Sequence, residues 1–323
     1  MPGQYNFNID VASDDAVTND KNSNYLRMAT GEWKSSFSPA SEWDYAYEWI
    51  YYINSFLEKY EEVVWDYTDP EINRGHLSRL KGEAYGLRAW YQFLLLQAHG
   101  GIGADGTLLG FSIIDEVVRI TDDFFVPRAS YEESVDRIMT DLDTAIAHLP
   151  DVYLDIKDDN TYNRTFGERF TNRMNGLAAK ALKVRVALYA ASPAFGVYTW
   201  EQAATLAGDL ITEYGGMDAF VSDADDALAF WLDAASPEII WANSIASNLN
   251  LEEANFPPSL FGNGETNPSQ ELVDNFFMEN GFPIDHPAAL FDPLKPYRNR
   301  DPRLSRFIVY NRNTLKEVDE QPN

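Results

Sequence analysis

The chain has 323 residues, 45% of them apolar, enough for one large domain or two ordinary ones and too many for global disorder. Asp and Glu number 51 against 25 Lys and Arg, and the resulting net charge of −26 disfavours nucleic acid and anionic membrane surfaces as partners. Cysteine is absent, which excludes disulfides, thiolate catalysis and thiolate metal sites together, while 8 Trp, 18 Tyr and 19 Phe leave aromatics to spare for a surface that meets flat apolar ligand faces, sugars among them.

No run of about 18 apolar residues exists, so no membrane-spanning helix is expected. The N-terminal MPGQYNFNIDVASDD lacks the basic and apolar regions of a signal peptide. Residues 1–40 read as an irregular segment, with Trp33 and Phe37 in the polar stretch GEWKSSFSP. Both suit either a tuck into the domain edge or a ligand contact. A first helix is predicted from Ser41, with Ser41 and Asp44 spaced as a capping box and Asn54 on the buried face, where its amide needs partners. A turn at Asp69-Pro70 and Arg74-Gly75 leads to the most apolar stretch, Leu80 to Gly101. There Leu77, Leu80, Ala84, Leu87, Tyr91, Leu94 and Ala98 share one face, and Trp90, Phe93 and Leu96 widen it until Arg79, Lys81, Glu83 and Arg88 alone break the apolar wrap. Such a helix needs cover on more than one side, so it reads as the centre of a helical domain. The following GIGADG, 101–106, formally matches a dinucleotide fingerprint but follows a helix instead of a strand, and is rejected.

Further helices are predicted over 130–149, with Ser130 and Glu133 as a capping box, over 173–191, slim with alanine, and over 200–214, capped by Thr199 and Gln202. Residues 151–171 between them read as a polar loop. Beyond 215 the pattern predicts strands at 236–246 and 301–311 and a short helix at 268–277. The helices pair as 41–62 with 75–99 and 130–149 with 173–191, a tetratricopeptide-like arrangement without the strict repeat. The expected architecture is mainly α: an irregular segment 1–40, a tetratricopeptide-like core 41–215, and a loop-rich, ligand-binding part 216–323 with a few short strands.

The four histidines lie far apart, and no zinc-protease, nucleophile-elbow or phosphate-loop motif occurs. Asp223 and Asp225 could donate oxygens to calcium, although on this pattern alone a solvated acidic turn is the favoured reading. Loop-borne Phe256 and Phe261, near Asn248 and Asn250, could stack on sugar rings. On the residues alone, three readings stay open: a glycan-binding protein, a helical-repeat scaffold for peptides or proteins, and an acidic glycoside hydrolase whose two carboxylates need no local motif.

A series of stretches in one order resembles the SusD/RagB family: SDDAV (13–17), the helix carrying Trp43, Tyr47, Ile50 and Asn54, GEAYGLRAWYQFLLLQAHGGI (82–102), YEESVDRIMTDLDTAIAHLP (131–150), AAKALKVRVALYAAS (178–192), SPEIIWANS (236–244), PSQELVDNF (268–276) and DPRL (301–304). The resemblance covers about residues 10 to 310. It implies a non-enzymatic outer-membrane lipoprotein of Bacteroidetes that binds an oligosaccharide or polysaccharide and delivers it to a SusC-like TonB-dependent transporter. The membrane contact would be an N-terminal lipid anchor whose cysteine is not in this sequence. The resemblance further implies glycan stacking by Trp33, Phe37, Trp241, Phe256 and Phe261, of which Trp241 is the best candidate for the core. It places a structural calcium ion at Asp223 and Asp225. No other cofactor is expected, and the chain is shorter than is usual in the family.

Overall fold

The computed structural model describes residues 9–32, 34, 37–38, 40–221, 236–242, 249–311 and 313. The chain folds as two units, Ser41–Ala246 and Pro2–Ala40 with Ser247–Asn323.

The first unit is helical. Helices α2 (Trp43–Lys59), α3 (Pro70–His99), α4 (Tyr131–His148), α6 (Gly176–Ala190) and α7 (Trp200–Glu213) each pack on the next, and the short α5 (Asn160–Phe166) lies on α3. The capping boxes predicted at Ser130/Glu133 and Thr199/Gln202 both form. The one predicted at Ser41/Asp44 does not: Glu42 is the cap residue and its N–H donates to His99 Nε2 at 3.2 Å. Helix α3 also begins earlier than the glycine at 75 suggests. Asp69 accepts from the N–H groups of Glu71 and Ile72, and Pro70 takes the first helical position, so the supposed turn is a cap followed by helix. The rejected fingerprint is a hairpin, β2 (Gly101–Ile102) against β3 (Leu108–Leu109). The polar loop 151–171 contains α5, capped by Asp159.

The buried face of α3 follows the predicted one in part. Ala84 and Tyr91, with Phe93 and Leu96 of the widened set, are buried, but Leu77, Leu80, Leu87 and Leu94 are only half-buried, and Arg79, Gly82, Glu83, Gly86 and Arg88 are buried in their place. The glycines explain this. A Cβ at Gly82 would stand 2.6 Å from the Leu149 side chain and one at Gly86 2.6 Å from that of Met174, so neighbouring elements approach α3 through its smallest residues.

Three of the four charges that break the apolar wrap are therefore inside. Arg88, 2% exposed, forks onto fully buried Asp141 of α4 (2.7 and 2.8 Å) and donates to Asn54 Oδ1 of α2 at 2.9 Å. The Asn54 amide donates to the carbonyls of Ile114 and Glu116, satisfying the partners its position demands. Burial pulls the Arg88 pKa down, but hydrogen bonding and charge attraction from Asp141 outweigh it, and the net shift is upward. One polar network thus ties α2, α3, α4 and the 114–116 loop in a single arrangement, a specifying role more than a stabilising one. Glu83 likewise bridges Arg79 and Arg173. Around these groups the core fills with Ile50, Tyr91, Leu95, Ile138, Leu142 and the alanines of α6.

The second unit holds α1 (Asn24–Ala29), the antiparallel pair β1 (Ala16–Thr18) and β4 (Thr266–Pro268), α8 (Asn250–Asn255), α9 (Gln270–Asn275) and α10 (Pro302–Phe307). Residues 9–32 thus carry more regular structure than their composition suggests, because β1 finds its partner some 250 residues away. The strand predicted at 301–311 is instead α10, where Asp301 caps and Pro302 occupies the first turn. The described part of 236–246 is turn, closed by Ile239 N–H on Ser236 O, and not the predicted strand.

Candidate functional site

Local sequence builds one unusual surface feature in the second unit. Helix α8 ends at Phe256, whose N–H still donates to Glu252 O. Pro257 and Pro258 forbid continuation and start a single 3-10 turn, Pro258–Leu260. The chain then reverses through Phe261, and returns along α8: Asn263 N–H donates to Glu253 O at 2.8 Å, Gly264 to Phe256 O at 2.9 Å and Glu265 to Ala254 O at 2.9 Å. Strand β4 anchors the far side, and the Asn19 amide, next to β1, donates to the carbonyls of Asn263 and Gly264. Gly262 is required at the crossing, since a Cβ there would stand 2.1 Å from Phe256 O.

This turn holds Phe261 in the left-handed region, φ 67° and ψ 13°, with its side chain 96% exposed. A bulky residue in that region costs about 1–2 kcal/mol. Exposure recovers none of it, so the cost is carried by the hydrogen bonds of the turn. Phe256, 38% exposed, lies at the base of the same turn. The exposed residues Asn263 and Asn267 flank it, and the Asn267 amide donates to Gly264 O. A fixed aromatic face beside carboxamides can stack on an apolar ligand face while the amides meet hydroxyl groups.

The other candidates are distributed elsewhere. Phe37 is half-buried, bridged by backbone hydrogen bonds to Lys34, and the Arg27 guanidinium sits 3.8 Å from its ring centre. Trp241 belongs to the first unit. It packs edge-on against Trp90, with ring centres 5.7 Å apart, and its Nε1–H donates to Asn172 O, contacts typical of a packing residue. Trp33, Asp223, Asp225 and Asn248 lie outside the described residues. Among the described residues no cluster of three or more His, Asp or Glu is arranged to hold a metal, and no helix is long and apolar enough to cross a membrane.

The residues 4–166 match a family described as starch-binding and associating with the outer membrane. The chain belongs to the SusD-like family. Its fold is that of solved SusD-like proteins. One from Bacteroides fragilis is 23% identical, with a TM-score of 0.67, over 92% of this chain and 55% of that one. A SusD-like carbohydrate-binding protein from the same organism is 20% identical, with a TM-score of 0.64, over 92% and 52%. A laminarin-binding SusD-like protein is 22% identical, with a TM-score of 0.50, over 70% and 42%. This chain therefore spans about half the length of these solved proteins. No curated protein matches it.

The loop context of the sequence singles out Phe256 and Phe261 as candidates, but not Asn19, Asn263 and Asn267, which the structure places around them. The Pro-Pro and Gly-x-Gly punctuation of PPSLFGNG announces a turn. Nothing local announces that Asn19, beyond β1, would brace it.

Proposed function

We propose that this SusD-like chain binds a glycan at the cell surface, without chemistry of its own, and passes it to a SusC-like TonB-dependent transporter. The observation that carries the binding reading is Phe261: an exposed aromatic ring held at a conformational cost by a turn braced from both sides. Phe256 completes the stacking surface, and Asn263 and Asn267 supply hydrogen bonds to hydroxyls. Phe37 and Trp33 are the candidates for a second stacking contact, in the N-terminal segment. The family's description as starch-binding and associating with the outer membrane supports the carbohydrate class and the location; the N-terminal lipid anchor and the transporter partner belong to the proposal. Calcium at Asp223 and Asp225 is a structural adjunct in this reading, checked by equilibrium dialysis against the ion.

Calorimetry against a panel including maltohexaose, laminarihexaose and soluble polysaccharides tests the proposal. Binding to at least one glycan, weakened about 5–30-fold by Phe261→Ala, is expected, since one stacked ring contributes about 1–2 kcal/mol. Failure to bind any glycan, or release of new reducing ends over time, would overturn it.

A further inference from the structure

The first unit contains a pocket of about 590 Å³ on the segment between α4 and α6, a size suited to one or two sugar rings. Its walls include Asp155, Asn160, Arg164, Glu168, Arg169 and Thr171. None of these belongs to the aromatic turn, and the segment was legible in the sequence only as a polar loop.

The pocket is an open concavity, with Asp155, Asn160, Glu168, Arg169 and Thr171 exposed, and its walls are held by the fold. The Asn163 amide closes the loop on itself, accepting from Ile156 N–H at 2.7 Å and donating to Ile156 O at 2.9 Å. Asp159 caps α5 through Tyr162 N–H, and Asp155 Oδ1 accepts from Glu168 N–H at 3.0 Å. Gly167 permits the last contact: a Cβ there would stand 2.2 Å from Asp155 Oδ1. Helix α5 is seated on α3, where a Cβ at Gly75 would meet Thr165 at 2.6 Å. Arg164 is fixed by Asp66, and Arg169 donates to Arg164 O while its guanidinium lies 4.7 Å from the Phe170 ring centre. Arg79 sits over the same ring at 3.8 Å, so Phe170 orders arginines and is not itself an open stacking face.

The lining decides the ligand class. The two carboxylates and the two guanidinium groups of the lining balance one another, so the walls carry no excess positive charge for a phosphate and no uncompensated carboxylate pair for a metal ion. No aromatic or aliphatic side chain lines the walls, which disfavours a flat apolar ligand. Among the described residues the Asn160 amide and the Glu168 carboxylate carry no hydrogen bond. Together with the remaining guanidinium N–H groups they interleave acceptors and donors, as vicinal hydroxyl groups require, each hydroxyl both giving and accepting. We infer that this pocket is a second, hydroxyl-directed saccharide site in the helical unit, holding an uncharged sugar residue by hydrogen bonds alone. The inference rests on the glycan-binding reading and extends it from one contact surface to two.

The test uses the full chain and whichever oligosaccharide of the calorimetry panel binds. Asn160→Ala/Glu168→Ala removes the two uncommitted groups and no hydrogen bond of the fold. The expected results are slower amide exchange over 155–171 with sugar present, and binding weakened at least 5-fold by the double variant, with an unchanged unfolding midpoint. The double variant in a Phe261→Ala background should lose the residual binding. If sugar binds and Phe261→Ala weakens it, but exchange over 155–171 and the affinity of the double variant are unchanged, the second site is refuted while the glycan reading stands. If no panel member binds the wild type, both fall.

Discussion

Replacing Phe261 with glycine should separate what the turn costs from what it does. The native φ of 67° is strained for phenylalanine and free for glycine. Relief of about 1–2 kcal/mol is offset by the greater freedom of glycine in the unfolded chain, about 0.4–1 kcal/mol. With the ring 96% exposed, almost no buried area is lost. The net expectation is a gain of roughly 0.5–1 kcal/mol, or about 1–4 °C in the transition that contains the turn. Phe261→Ala keeps the strain and should leave stability nearly unchanged. Both variants lose the stacking surface and should weaken glycan binding about equally. Urea unfolding followed by circular dichroism gives the stability order, and calorimetry gives the affinities. A glycine variant less stable than wild type by about 1 kcal/mol or more would show that the ring is packed against something, and would refute the argument from strain. Equal stability gains in both variants would locate the effect in the side chain instead of the backbone.

Two further expectations concern the helical unit. Arg88→Met strands the buried Asp141 carboxylate with Arg137 as its one remaining guanidinium, and leaves Asn54 Oδ1 without its donor. A loss of about 3–5 kcal/mol is expected in chemical unfolding, while Arg88→Met/Asp141→Leu should recover most of it, because removing both charges removes the uncompensated one. A loss below about 1 kcal/mol in the single variant would contradict the role given to this network. His99 accepts the Glu42 N–H at the start of α2, and burial, followed by the Arg128 charge, lowers its pKa. The unfolded chain then binds the proton more readily, so this contribution to stability is complete above about pH 6.5 and fades as pH falls below it. His99→Gln, which keeps an acceptor but cannot titrate, should gain on wild type between about pH 7 and 5 in a thermal-unfolding series; a constant difference would rule the switch out.

Sequence determined the order and type of the main helices of the helical unit. The three-four spacing of α4, the Ser130 and Thr199 capping boxes, and the glycine stop after His99 are local signals obeyed locally. In α6, by contrast, spacing does not give the buried face: Leu188 is 52% exposed while Leu182, Val186 and Ala187 are buried. It also foresaw that Asn54 would need partners and that the Leu80–Gly101 stretch would be covered on more than one side. Which side α3 buries was a tertiary decision. Close approach at Gly82 and Gly86 outweighed the leucine stripe, and a charge network absorbed Arg88 and Glu83, whose partners Asn54, Asp141 and Arg173 no local pattern names. Proline was misread twice, at Asp69-Pro70 and Asp301-Pro302, because the same pair serves a turn or a helix start and only the following residues' packing selects.

The candidate site residues divide the same way. Phe261 and Phe256 stand out in the sequence as aromatics among Pro, Gly and Asn, but their geometry depends on β1 and β4, joined across some 250 residues. The pocket on 151–172 left less trace still. Its residues are ordinary polar loop residues one by one, and their meaning comes from Gly167, Asn163 and Phe170 folding them around a common space. Periodicity and caps are properties of neighbours in the chain and are written there; a binding surface is a property of neighbours in space, fixed only when the long-range contacts close.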